Sequence, residues 1–339
     1  MRFNPGLSAV ILGVVLGAAG LCLAQDIRFL RIGTGSTAGT NFPIGSLIAS
    51  VLSNPPGSRD CDRGGSCGVP GLIAVAQATQ GSVENAQQVG LGRLDAGIVQ
   101  ADIAALAYAG KGDFAGKNRI PSLRVLASLY PETLQIVVRQ DSRITSLAGL
   151  KGKRISLDTP ASGSQTAARA VLSQAGIKLT DLRLVYVDVG AATEQMREGK
   201  IDGFFYVGGS PSPAVAQLAE TLPIRLLPLP ASLVARLRKA DPSYGAGTIA
   251  QDTYKGVAAT ETLTVHALLV VNEKLPNELA YGLLRALWHK SANVMFNGGH
   301  PQGKAIQWTN ALNGVSIPLH PAAERYYGET GLLKRDAAP

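Results

Sequence analysis

The sequence predicts an α/β protein built as two lobes with a cleft between them, and three observations carry that prediction. Short β-type runs alternate with helical patterns along the chain, as in a largely parallel sheet flanked by helices. One local plan occurs twice, in "FLRIGTG…LGRLDAGIVQAD" and in "KRISLDTPASGS…EGKIDGFFYVGG". Two long β-type stretches, 123–139 and 261–276, bracket the second copy and suit a pair of crossings between lobes.

Taken in order, strands are predicted at 27–33, 96–100, 124–129, 134–139, 154–157, 184–188, 203–207, 224–227 and 263–271. Helical periodicity fits 43–52, 83–90, 164–175, 191–198, 214–219, 231–238, 278–296 and 321–328. In both copies of the plan a strand runs into a Gly/Ser/Thr loop and then a helix, and Gly–basic–apolar–Asp introduces the next strand (Gly92 to Asp95, Gly199 to Asp202). Tyr130-Pro131 interrupts the first long β stretch, which suits a crossing between lobes rather than a continuous central strand. These readings place one lobe at 25–131 and 264–339 and the other at 132–263.

The 339 residues suffice for two ordinary domains. Residues 1–24 read as a secretory signal peptide, with Arg2 ahead of an uncharged apolar run from 7 to 24 and a small residue, Ala24, before the expected cut. The run also approaches the roughly 18 residues of a minimal membrane anchor. Lipidation at Cys22 is disfavoured because Leu21 stands where a small residue is needed. With Cys22 removed, Cys61 and Cys67 remain, and in an oxidising compartment they are most simply a disulfide. A metal site would want further ligands nearby, and His266, His289, His300 and His320 all lie far away in sequence, so no metal is expected. The net charge of +8 is scattered and aromatic residues are only 5%, which argues against nucleic-acid binding and for a solvated basic surface.

The loop "IGTGSTAGT" at 32–40 holds Gly33, Gly35 and Gly39, a relative of the dinucleotide fingerprint, and any anion is attracted to a helix N-terminus behind such a loop. A dinucleotide is disfavoured. No second strand ending in an acid follows at the required interval, and Ser36, Thr37 and Thr40 supply hydroxyls better suited to a small carboxylate. The loop "PASGSQT" at 160–166 repeats this chemistry in the other lobe. Two hydroxyl-rich helix N-termini meeting across a cleft would receive a small molecule with one or two carboxylates. The plain alternative is that Ser162 and Ser164 cap a helix while Thr37 and Thr40 satisfy a turn. No hydrolase elbow, zincin motif or free thiolate is present, so no enzyme activity and no catalytic residue is expected.

The ordered set "IGTGSTAGTNFPIGSLIASVL", "GSVEN", "DAGIVQAD", "GKGDF", "LRVLASLYPETLQIVVR", "SLDTPASGSQTAARAVL" and "GKIDGFFYVGG" resembles the solute-binding receptors of the TAXI family of TRAP transporters, from about 27 to 227. The resemblance implies a type II periplasmic binding protein fold with a two-strand hinge. It also implies delivery of the ligand to a TRAP permease driven by an ion gradient, with glutamate, glutamine or 2-oxoglutarate-like acids as the default ligands. The relatives' loop G-T-Y-Y-P maps contacts onto Ser36, Thr37 and Thr40, but Asn41 and Phe42 replace its two tyrosines and remove a phenol from the expected pocket. It further implies Glu84, Asn85, Gln100, Asp102, Tyr130, Ser162, Gly163, Ser164, Thr166, Val207, Gly208 and Gly209 as cleft lining, with no single carboxylate-clamping arginine. The expected protein is thus a periplasmic, cofactor-free monomer that captures a dicarboxylate or amino acid for a TRAP permease. A sensing subunit that presents its closed form to a membrane sensor kinase is the alternative.

Overall fold

The computed structural model describes residues 27–333; the expected signal peptide lies outside them. The first part of the chain forms β1 (Arg28–Gly33), α1 (Asn41–Leu52), the short pair β2 (Ser53–Asn54) and β3 (Val69–Pro70), β4 (Leu72–Gln77), α2 (Ser82–Gly90), β5 (Ala96–Gln100), α3 (Ala101–Ala109) and the long strand β6 (Leu123–Arg139). The second part comprises β7 (Arg154–Ser156), α4 (Gly163–Gln174), β8 (Arg183–Val185), α5 (Val189–Arg197), β9 (Gly203–Gly208), α6 (Pro213–Thr221), β10 (Ile224–Leu226), α7 (Ala231–Ala240) and β11 (Gly245–Ile249). A second long strand, β12 (Thr260–Asn272), then leads to α8 (Asn277–Leu287), α9 (Lys290–Gly299) and α10 (Pro321–Glu329).

The main sheet runs in the order β4-β1-β5-β12-β6-β9-β7-β8, with β10 on β6 and β11 on β12. Its two halves share one plan. In the first, β4, β1 and β5 are parallel and β12 is antiparallel beside β5; in the second, β8, β7 and β9 are parallel and β6 is antiparallel beside β9. Strands β6 and β12 pair along most of their length and belong to both halves.

The repeated Gly–basic–apolar–Asp motif acquires a physical meaning here. Gly92 and Gly199, at φ 69° and 67°, take the left-handed conformation that ends the preceding helix. Three residues on, Asp95 accepts from the backbone N–H of Arg31 at 2.8 Å and from its Nε at 2.9 Å. Asp202 does the same to Arg154, at 2.8 and 3.2 Å. In each half the motif therefore stops a helix and clamps the strand that leads to the cleft.

Three expectations are corrected. Tyr130-Pro131 does not break the strand: β6 continues through Pro131, which is exposed and sits opposite His266, and a register shift beside Ala267 absorbs the irregularity. Proline lacks a ladder donor and is tolerated at strand irregularities of this kind. The helix expected at 278–296 is two helices, because the His289 side chain accepts the Ser291 N–H and starts a new one. Strands β4 and β11 and helix α3 were not expected; α3 begins at Ala101, directly after β5 ends.

The core follows the alternation of the strands. One apolar cluster, including Val99, Val125, Ile136, Val171, Phe205 and Leu268, runs across both halves. Leu30, Ile44, Ile98, Leu129, Leu284 and Phe296 form a second cluster, and Val137, Met196, Phe204, Leu218 and Tyr254 a third. Among the described residues no helix is long and apolar enough to cross a membrane.

Candidate functional site

The two loops singled out in the sequence meet. Gly35, Ser36 and the segment Gly39 to Asn41, ahead of and entering α1, face Asp158 and the segment Ser162 to Ser164 at the start of α4, across a cleft with a free volume of about 40 Å³. That is room for roughly three waters. Direct contacts hold the halves together. Ser36 Oγ donates to Asp188 Oδ2 at 2.9 Å, the Thr40 N–H to the Tyr206 hydroxyl at 3.0 Å, and Thr159 Oγ1 to the Gln80 carbonyl at 3.2 Å. The Tyr244 hydroxyl donates to Asp102 Oδ2 at 2.7 Å. These bonds draw the two walls together and leave little free space between them.

The walls come close at two glycines, where a Cβ would crowd the opposite side chain. A Cβ on Gly163 would lie 1.6 Å from Gln100 Oε1, and one on Gly39 would lie 3.1 Å from the Tyr206 hydroxyl. On the α4 side, Ser162 Oγ caps the helix by accepting the Gln165 N–H at 3.1 Å, while Ser164 Oγ accepts the Val207 N–H at 3.0 Å. The N–H groups of Gly163 and Ser164, like those of Asn41 and Phe42 in α1, have no carbonyl within their own helices to bind. Two positive helix ends thus border one small space.

Behind the cleft lies a buried polar layer. Asn41 accepts from the Tyr130 hydroxyl, and Gln100 Nε2 donates to Glu132 Oε2 at 2.8 Å. Glu132 is fully buried on β6 beside the crossing, and burial raises its pKa to about 8, so it is protonated at neutral pH. Burial likewise lifts Asp102 to about 6 and Asp158 to about 7, although hydrogen bonds to each carboxylate oppose the shift. Tyr206 is pushed up to about 12 by burial.

Of the residues expected at the site, Ser36, Thr40, Asn41, Gln100, Ser162, Gly163, Ser164 and Val207 line the cleft. Tyr130 stands behind Asn41. Gly208 and Gly209 pack against Tyr206, Thr40 and Gln302 just outside. The remaining five have other work. Thr37 is exposed and turned outward. Glu84 accepts the Gln80 N–H at 2.8 Å. Asn85 spends its amide on the carbonyls of Thr34 and Ile98, at 2.9 and 2.8 Å. Asp102 is taken by Tyr244, and Thr166 faces Asp113 at 3.3 Å.

The sequence reading missed Gln80, Glu132, Asp158, Asp188 and Tyr206. Glu132 carried a signal, being the only acid in the apolar stretch 123–139; Asp158 follows directly on a strand in "SLDTP". The cysteine pair forms the expected disulfide, but His289 is not remote in space, with Nε2 4.0 Å from Cys61 Sγ. Ligand atoms of Cys61, Cys67 and His289 lie within 4.8 Å of one another, yet the two sulfurs are bonded together and unavailable to a metal.

Residues 32–331, most of the chain and all of the cleft, match the model of the NMT1-like family. The chain belongs to that family. Among solved structures, this NMT1-like protein is similar to a protein from Bordetella bronchiseptica RB50, at 14% identity over 92% of this chain and 85% of that one, with a TM-score of 0.51. It is also similar to the alkanesulfonate-binding protein of Xanthomonas axonopodis pv. citri bound to MOPS, at 15% identity over 89% and 83% with a TM-score of 0.46. A third likeness is to the ligand-binding component of an ABC-type import system from Staphylococcus aureus, at 10% over 91% and 94% with a TM-score of 0.46. At these identities the likeness is one of fold. The sheet flanked by helices is the α/β class expected from the sequence.

Proposed function

We propose that this NMT1-like protein is a periplasmic solute-binding receptor, not an enzyme, that captures a small organic acid between its two lobes and passes it to a membrane importer. The observation that carries the reading is the meeting of two helix N-termini, α1 at Asn41 and α4 at Gly163, across one polar cleft bounded by strands common to both halves. Helix ends of this kind attract carboxylate oxygens. Strands β6 and β12 supply a hinge, with lobes at 25–131 and 264–339 on one side and 132–263 on the other. The ligand would be retained because it bridges groups that come together only in the closed state.

The finer reading is a receptor for glutamate, 2-oxoglutarate or a related acid that serves a TRAP permease, which the resemblance of the loops at 32–43 and 157–166 supports. Printed names among the structural neighbours speak instead of ABC-type import, so energy coupling is part of the test. Protein refolded from denaturant to strip carried-over ligand is titrated calorimetrically with amino acids, 2-oxo acids and dicarboxylates. Saturable one-to-one binding of at least one of them is expected, and absence of binding across the panel refutes the receptor reading. In cells carrying the importer, uptake abolished by an ionophore but not by ATP depletion is the TRAP result, and the reverse assigns an ABC importer.

A further inference from the structure

The cleft is rich in acceptors and poor in cations. None of its lining residues is Lys, Arg or His. Gln100 Oε1, on a residue only 3% exposed, has no hydrogen-bond partner among the described residues and lies against Gly163 on the opposite wall. Of the acids nearby, Asp188 is committed, with Oδ2 accepting from Ser36 and Oδ1 from the Ala191 N–H at 2.9 Å. Asp158 is different. It lines the cleft, is 8% exposed, and is held at φ 73°, a left-handed conformation that costs a non-glycine residue energy and is tolerated best by Asp and Asn. One carboxylate oxygen accepts the Thr159 N–H at 2.7 Å, and no ion pair involving Asp158 is formed among the described residues.

We propose that Asp158, with Gln100 Oε1 facing it across the cleft, selects a ligand bearing an ammonium group beside its carboxylate, so that an α-amino acid is preferred to the matching oxo acid or dicarboxylate. This rests on the receptor reading above. The carboxylate occupies the helix ends and the ammonium supplies the positive charge and donors that the wall lacks. Desolvated with hydrogen bonds but no cation beside it, Asp158 disfavours its own charge; an ammonium alongside restores the ionised form and converts an unfavourable burial into a charge-assisted hydrogen bond. A dicarboxylate meets the same wall with a second negative charge and is rejected.

The test is calorimetry on refolded protein with two matched pairs, glutamate against 2-oxoglutarate and alanine against pyruvate, for wild type and for Asp158→Asn. Wild type is expected to bind the amino acid of at least one pair 10-fold or more tighter than its oxo partner. Asp158→Asn is expected to unfold at a midpoint no lower than that of wild type and to lose that preference. Should the amide variant misfold, Asp158→Gly retains the left-handed backbone without the carboxylate and serves in its place. Oxo acids bound as tightly as amino acids, or a preference that survives removal of the carboxylate, overturns this inference and leaves the receptor reading standing. Binding of neither class in either pair, together with a blank result from the wider panel, overturns both.

Discussion

Replacing Glu132 by Gln isolates the energetic cost of the buried acid behind the cleft. Glu132 has no solvent exposure, receives Gln100 Nε2 at 2.8 Å and forms no ion pair among the described residues; burial, with a smaller contribution from Asp102, moves its pKa from 4.5 to about 8. A carboxyl whose pKa is raised on folding stabilises the native state fully below 4.5, and that contribution is lost as the pH climbs through about 8. At roughly 1.4 kcal/mol per unit, the loss by pH 9 is on the order of 4–5 kcal/mol. Glutamine has the shape of the protonated acid, can still accept from Gln100, and does not titrate. The Glu132→Gln protein is therefore expected to match wild type within about 1 kcal/mol at pH 5 and to exceed it by several kcal/mol at pH 9. Urea denaturation at pH 5, 7 and 9 measures both. A wild-type-minus-variant difference that stays constant across that range refutes the buried, protonated acid. Some slope survives in the variant, because Asp102 and Asp158, raised to about 6 and about 7, lose stability in the same direction.

Gly163→Ala places a Cβ 1.6 Å from Gln100 Oε1 and 2.7 Å from its Cδ, so the Gln100 side chain must turn aside or the walls must separate; ligand affinity should fall 10-fold or more with an unchanged unfolding midpoint, and undiminished affinity would show that closure does not need this contact. Tyr206→Phe leaves the buried Thr40 N–H without its 3.0 Å acceptor, and a loss of about 1–3 kcal/mol in denaturant unfolding is expected. Cys61→Ser with Cys67→Ser removes a bridge spanning only six residues, worth about 2 kcal/mol by loop entropy; affinity should be unaffected, since the loop lines a separate surface cavity with Arg285 and His289.

What the sequence made legible was what repeats or alternates. The α/β class followed from periodicity, and the two-halved plan followed from a motif whose Asp95 and Asp202 make equivalent clamps on Arg31 and Arg154. The glycine loops were legible as a pair because each precedes a helix start. Contacts between distant segments were not. Asp188 and Tyr206 reach the first loop from 152 and 166 residues away, and no local pattern encodes such a meeting. Thr37 shares its residue type with its neighbours, and the tight turn from Ser36 to Gly39, which leaves it exposed, could not be read from that. Strand β11, "GAGTI", escaped notice because its place in the sheet comes from pairing with β12, not from apolar alternation.

Hydrogen exchange on refolded protein, with and without a bound amino acid, tests the central claim most directly. A ligand held between the ends of α1 and α4 should slow exchange together in peptides spanning 35–44 and 158–167, which lie in opposite halves of the molecule. Protection of one of these segments without the other, or protection confined to a region outside the cleft, would contradict capture between two helix N-termini.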